Sequence, residues 1–346
     1  MKSAVAQGAL GLVLLFVLGA CGAPPSEEVT FALHGQTMGT TWVVKLLLSE
    51  VPKNNRDLLK KDIQGELDRV NAEMSHYMRD SEISRFNESA SVDWFPVSPG
   101  FAHVVSEALA IGSRSGGRLD VTIGPLIDLW GFGRKGEVTA PPSDDELVAT
   151  KSRLGLQHLE VRPSPPSVRK SIAHLEINLS AIAKGHGVDR VVTLLMERGL
   201  SSYFVEVGGE VFASTWKLPG RAWQVGIEAP DPEARSLQRV VPLRGMAMAT
   251  SGDYRNFWRD QGHQYSHTLD PATGRPVSHA MASVTVIAET CCAADGWATA
   301  LLVAGPESAL ALAKEQSLAA FFIIRTPRGF ETIATDSFRR LTETDP

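Results

Sequence analysis

Apolar positions along the chain follow two periods, and the switches between them sketch a fold. In "NRDLLKKDIQGELDRVNAEMSHY" (55–77), Leu59, Ile63, Leu67, Val70 and Met74 return every three or four residues. That spacing places them on one face of a helix. "SPGFAHVVSEALAIGSRSGG" (98–117) reads as a second helix, stopped by Gly116 and Gly117. "PPSDDELVATKSRLG" (141–155) predicts a short capped helix, and "AADGWATALLVAG" (293–305) and "PESALALAKEQ" (306–316) predict two more. The other period is two. "FALHGQTMGTTWVVKLLL" (31–48) alternates loosely and predicts a long strand or a strand pair, interrupted at Met38, Gly39 and Thr40. "YFVEVGGEVFAS" (203–214), "AWQVGIEA" (222–229), "RVVPLRGMAMATSG" (239–252) and "MASVTVIAE" (281–289) are strand-like, and "AAFFIIRT" (319–326) with "FETIATD" (330–336) predicts a closing hairpin. "HLEINLSAIAKGHGVDRVVTLLMERGL" (174–200) starts as a strand, turns across 180–187 and continues as a helix to Gly199. "RLDVTIGPLIDLWGFGRKG" (118–136) shows neither period and reads as irregular, and "PSPP" (163–166) as a loop. Helices and strands mix without a strict strand–helix–strand order, so the expected fold class is α+β (mixed α/β).

The N-terminus follows another logic. Lys2 is followed by "ALGLVLLFVLGA" (9–20), an apolar run short for a bilayer span. It ends in Leu18, Gly19, Ala20 and Cys21. Residues 1–20 therefore read as a secretory signal. "LGAC" looks like a lipobox, with Cys21 lipidated and first in the mature chain; an ordinary cleaved signal with an incidental cysteine is the other reading. Residues 21–30 have the composition of a flexible tether, which leaves 31–340 for the folded domain.

Composition narrows the function classes. Of 346 residues, 43% are hydrophobic and 21% charged, which is ordinary for a globular chain. The net charge of −5 offers no basic field for nucleic acid. Beyond Cys21 there are only Cys291 and Cys292, adjacent in sequence and so poorly placed to bridge each other; they read as small buried residues.

One motif is a decoy. "GFGRKG" (131–136) fits G-x-G-x-x-G, but it lacks the preceding strand and following helix of a dinucleotide site. Three other stretches carry chemistry. "SAIAKGHG" (180–187) opens a helix whose free N–H groups, with Lys184, suit an anion; a tight turn with a solvated lysine fits equally well. In "CCAADGWATAL" (291–301), Asp295 and Thr299 share a helical face and can hold a hard cation such as Mg²⁺. The alternative there is a dipole-stabilised aspartate with a back-bonded threonine. In "YSHTLDPATG" (265–274), His267 is an acid–base candidate held by a stiff turn, or else a structural histidine.

In order, "MGTTW", "MSHYMRDSEISRFN", "SGGRLDVTIGPLIDLWGFG", "NLSAIAKGHGVDR", "VGGEV", "ATSGDYRNFW", "YSHTLDPATGRPV" and "ADGWATAL" resemble the FAD:protein FMN transferases, the ApbE-type lipoproteins. The resemblance spans about residues 31–335. It implies the ApbE-like fold, with FAD in a cleft between two closely integrated lobes. It also implies Mg²⁺-dependent transfer of FMN from FAD, as substrate, to a threonine of a target protein, with release of AMP. By the same resemblance Met38, Tyr77, Arg118, Leu119, Asp120, Asn178, Lys184 and Leu269 contact FAD. The metal rests on Ala181, Asp295 and Thr299, and His267 stands nearest the reacting phosphate. The implied partners are subunits of membrane redox complexes and other flavoproteins. The implied location is the inner membrane, lipid-anchored, on the periplasmic side. Asn178 and Ala298 depart from the family pattern: the first replaces a frequent Asp, and the second occupies a position that is acidic in some members. Two rival readings are an FAD pyrophosphatase giving FMN and AMP, and a non-catalytic FAD-binding lipoprotein.

Overall fold

The computed structural model of the chain describes residues 30–343, apart from 135, 137, 139, 232–235, 254–256, 261 and 262 and the side chains of 259, 263 and 264. The signal segment, Cys21 and the tether to residue 29 lie outside the described residues.

The frame is an eight-stranded sheet. Its strands are β1 (Thr30–Thr37), β2 (Thr40–Leu47), β3 (Tyr203–Val207) and β4 (Glu210–Ala213). They are followed by β5 (Met246–Gly252), β6 (Met281–Ala288), β7 (Ala319–Thr326) and β8 (Gly329–Ala334). Every neighbouring pair is antiparallel, and the order across the sheet is the order along the chain. The predicted strand pair at 31–48 is the β1–β2 hairpin, turning at Met38 and Gly39.

Alternation sorts side chains between the two faces of this sheet. Val205, Val207, Ala247, Ala249, Ala320 and Phe322 belong to the large core under the helices. Val211, Met248, Phe321 and Ile323 face the other way. Against the first face pack α1 (Arg56–Met74), α2 (Pro99–Arg114), α3 (Ala183–Glu197) and α4 (Cys291–Glu315). All five apolar positions predicted to form one face of α1 are buried. Against the second face pack the hairpin of Trp223–Glu228 with Leu237–Leu243 and the short helix Asp336–Thr342. A smaller cluster gathers Leu126, Trp130, Leu147, Leu154 and Leu269.

The structure departs from the sequence reading in four places. No strand forms at 174–177: the Asn87 side chain exchanges two 2.9 Å hydrogen bonds with the Ile177 backbone, and the Asn178 N–H goes to the Val121 carbonyl at 2.7 Å. With those groups satisfied the segment needs no strand partner. Residues 118–136 are not wholly irregular, for Val121–Ile123 is a 3₁₀ turn and Gly124–Leu129 a helix. Asp120 caps that turn by accepting from the Thr122 N–H at 2.8 Å. The helix Asp336–Thr342 went unpredicted; it is capped by Thr335 and anchored by Phe338, stacked on Phe321 at 5.4 Å. The two helices expected at 293–316 run end to end as α4, with a kink at Gly305.

Candidate active site

α3 and α4 meet at their N-termini, and the contact depends on a residue with no side chain. A Cβ on Gly185 would lie 2.2 Å from the Cys291 carbonyl oxygen. Each helix then caps the other. The residue before α3, Ile182, offers no capping side chain, and the Gly185 N–H donates instead to Asp295 Oδ2 on α4, at 3.0 Å. In return Asp189 on α3 accepts from the Cys291 and Cys292 N–H groups at 2.8 and 2.9 Å. Carboxylates at helix N-termini are favoured by the unpaired donors and the dipole there. Burial raises the Asp189 pKa to about 6 against the pull of those bonds.

Beside this junction lie three interacting charges. The Lys184 ammonium pairs with Glu210, at the start of β4, and stands 3.5 Å from Asp295 Oδ1. Glu210 also accepts from the Thr250 N–H at 3.1 Å. Burial is the largest force on Asp295 and Glu210 adds repulsion, so its pKa is pushed up to about 7 although Lys184 opposes this. Burial works against the Lys184 charge, but Asp295 and Glu210 together raise its pKa above the ordinary lysine value. Two buried carboxylates share one ammonium, so the group has an unmet demand for positive charge.

These residues line a cavity of about 540 Å³, a volume usual for a small-molecule site. It lies where the three hydrophobic clusters meet. One wall is 118–123, another the 267–271 segment, and a third Val225, Gly226 and Glu228 of the hairpin. Gly208 and Gly209 form the β3–β4 turn at the rim, with φ of 59° and 102° that glycine adopts without strain. Thr299 Oγ1 lies 3.1 Å from Ser251 Oγ. Asn178 Oδ1 accepts from the Ser180 N–H at 2.9 Å. Burial raises the Asp120 pKa, and its bonds to Thr122 resist. His267 sits edge-on to Phe132, with ring centroids 6.4 Å apart. Flanking it in the chain are two small antiparallel strand pairs, Phe257–Asp260 with His263–Ser266 and Leu269–Asp270 with Arg275–Pro276. They are pinned by Trp258 stacked on Tyr265 at 4.6 Å and by Trp130 Nε1 donating to the Gly274 carbonyl at 2.8 Å.

Of the residues singled out in the sequence, Arg118, Leu119, Asp120, Asn178, Ala181, Lys184, His267, Leu269, Asp295 and Thr299 all line this one cavity. Met38 and Tyr77 do not. Met38 forms the β1–β2 turn and lies against Gly187, and Tyr77 is exposed beside His76. Ala298 is fully buried in the large core. Sequence reasoning missed Glu210, Ser251 and the hairpin wall. The one sequence signal for Glu210 was a carboxylate straight after a Gly-Gly turn.

The fold built on this eight-stranded sheet is that of the solved flavin transferases. The chain belongs to the ApbE family, whose model matches residues 38–322. It is 39% identical over 330 residues to the FAD:protein FMN transferase of Vibrio cholerae, covering 95% of this chain and 97% of that one. It is 36% identical over 346 residues to the protein of the same name from Escherichia coli K12, covering 98% of each. The solved flavin transferase ApbE from Vibrio cholerae superposes with a TM-score of 0.82, at 39% identity and over 90% of this chain and 99% of that one. The apo flavinyl transferase ApbE from Pseudomonas stutzeri also gives 0.82, at 36% identity and over 92% and 98%.

Proposed function

We propose that this chain moves the FMN half of FAD onto a threonine of a target protein, releases AMP, and needs Mg²⁺ to do so. That it is an FAD:protein FMN transferase follows from its family and its near full-length kinship with proteins of that name. The metal, the threonine and the leaving group are the finer part of the reading. The observation that supports the metal is the pair of buried carboxylates, Asp295 and Glu210, sharing Lys184 inside the cavity; the threonine and AMP rest on the family resemblance.

The donor set suits a hard cation: the Asp295 carboxylate, the Thr299 hydroxyl and the Ala181 carbonyl are all oxygen ligands. Bound there, Mg²⁺ supplies charge neutralisation at the transferring phosphate. Lys184 adds a fixed positive charge beside it. Arg118, Leu119, Asp120, Asn178 and Leu269 hold the two halves of FAD. Met38 and Tyr77, off the cavity lining, are assigned to FAD by the family resemblance alone. His267 takes the proton from the threonine hydroxyl as its oxygen bonds to the FMN phosphorus, and AMP leaves with the electron pair of the broken P–O bond.

The test is product analysis with and without a threonine-bearing target. Transfer gives AMP only in step with labelled target. An FAD pyrophosphatase gives free FMN and AMP in both samples, and a binder gives neither. We also infer that Cys21 carries the lipid anchor, on the periplasmic side of the inner membrane. The support is the run of Leu18, Gly19 and Ala20 before Cys21 after an apolar stretch.

A further inference from the structure

On the other side of the α3–α4 junction, a second group of side chains converges that the transfer reaction does not use. His103 comes from α2, His186 from the first turn of α3 and Cys292 from the first turn of α4. Their ligand atoms all lie within 4.8 Å of one another. The rings of His103 and His186 are 5.9 Å apart and tilted by 44°. We propose that His103, His186 and Cys292 form a second metal site, built for Zn²⁺ or a similar thiolate-seeking cation and separate from the oxygen site in the cavity.

The donors fit that class of ion. Two imidazoles and a thiolate are ordinary zinc ligands, and thiolate selects against Mg²⁺. Bonds of about 2.0–2.3 Å to a tetrahedral ion put its ligand atoms roughly 3.5 Å apart. The present spread asks for a small closure, which His103 can make because it is exposed.

Two buried groups also ask for a partner. His186 Nε2 is buried and makes no hydrogen bond. A buried polar nitrogen without a partner is costly, and a metal would satisfy it. Burial, reinforced by His103 and Arg190, lowers the His186 pKa to about 4, so its ring is neutral and its lone pair free at neutral pH. Cys292 is fully buried, and burial raises its pKa well above the usual thiol value. Without metal it is an inert thiol; zinc binding forms the Zn–S bond and releases the thiol proton to solvent. The neighbouring Cys291 points elsewhere, its Sγ donating to the Val211 carbonyl at 3.6 Å.

The surroundings favour a cation despite the nearby Arg190. Asp189 bonds the Cys292 N–H, and Glu107 acts electrostatically on both Asp189 and Cys292. Glu73 approaches across Gly100, where an added Cβ would meet Glu73 Oε2 at 2.7 Å and His186 Nε2 at 3.4 Å. An ion here would tie α2, α3 and α4 together one turn from Lys184 and Asp295.

The experiment uses the mature protein, stripped with chelator and titrated with Zn²⁺ and separately with Co²⁺ in excess Mg²⁺. One equivalent of Zn²⁺ should be retained after gel filtration, and thermal unfolding should move upward. The Co²⁺ form should show near-ultraviolet thiolate-to-cobalt absorption. His103→Ala, at an exposed position where folding is safe, and Cys292→Ala should each abolish that band and weaken Zn²⁺ binding at least tenfold. Asp295→Asn should leave both intact. Absence of stoichiometric Zn²⁺, a band that survives His103→Ala or Cys292→Ala, or binding lost in Asp295→Asn alone would overturn the proposal.

Discussion

Asp295 holds two neighbours at once, the Gly185 N–H through Oδ2 and the Lys184 ammonium through Oδ1. Asp295→Asn keeps an oxygen for the first task and loses the charge for the second. Mg²⁺-dependent turnover should therefore fall almost to nothing while the melting curve stays cooperative. Titrating activity against Mg²⁺ checks this, and wild-type turnover at ordinary Mg²⁺ would place the metal elsewhere. His267 plays a different part. A general base contributes about 10²–10⁴-fold, so His267→Ala should lower turnover within that range and leave FAD affinity nearly unchanged. Collapse of affinity with normal turnover of bound FAD would make it a binding residue. Single residues were unevenly legible in the sequence. Asp295 and Thr299 could be paired because helical spacing alone puts them on one face. Glu210 could not, since it matters only once the β3–β4 turn carries it under Lys184, 26 positions away in the chain.

At the scale of elements, the site is a junction of two helix ends, each capped by a carboxylate from the other. Such capping is invisible to periodicity, which reports the faces of a helix and not what meets its terminus. The absent strand at 174–177 has the same origin: its partner is the Asn87 side chain, 90 residues away. α1 and the β1–β2 hairpin were legible because their pattern and their packing are the same fact. Gly185 tests the junction. In Gly185→Ala the new methyl meets backbone atoms of Cys291 and Cys292 that cannot turn aside. Overpacking of this kind costs about 1–3 kcal/mol. Denaturant melts should show that loss, with turnover reduced as Lys184 and Asp295 move apart. A neutral result would mean that the two helix ends can separate without cost.

Across the whole molecule, an eight-stranded meandering sheet is the frame, and segments connecting its strands supply walls of the cavity. Eight short motifs in a fixed order made the family legible, although no one of them would have done so. The hairpin wall of Val225, Gly226 and Glu228 was not legible, because it meets the others only after separate clusters have packed. The N-terminal segment bears on where this machinery works. Several acyl chains hold a protein on a membrane where one does not, so Cys21→Ser should leave the protein soluble or as an unprocessed precursor. An unchanged membrane fraction and mature mass would remove the anchor from the account. The central claim is transfer of FMN to a protein hydroxyl. Its most direct test is the intact mass of a threonine-bearing target incubated with this protein, FAD and Mg²⁺, beside a target whose acceptor threonine is valine. The threonine target should gain one FMN less one water with AMP in equal amount, and the valine target should give neither. AMP released equally in both samples, with no labelled protein in either, would contradict it.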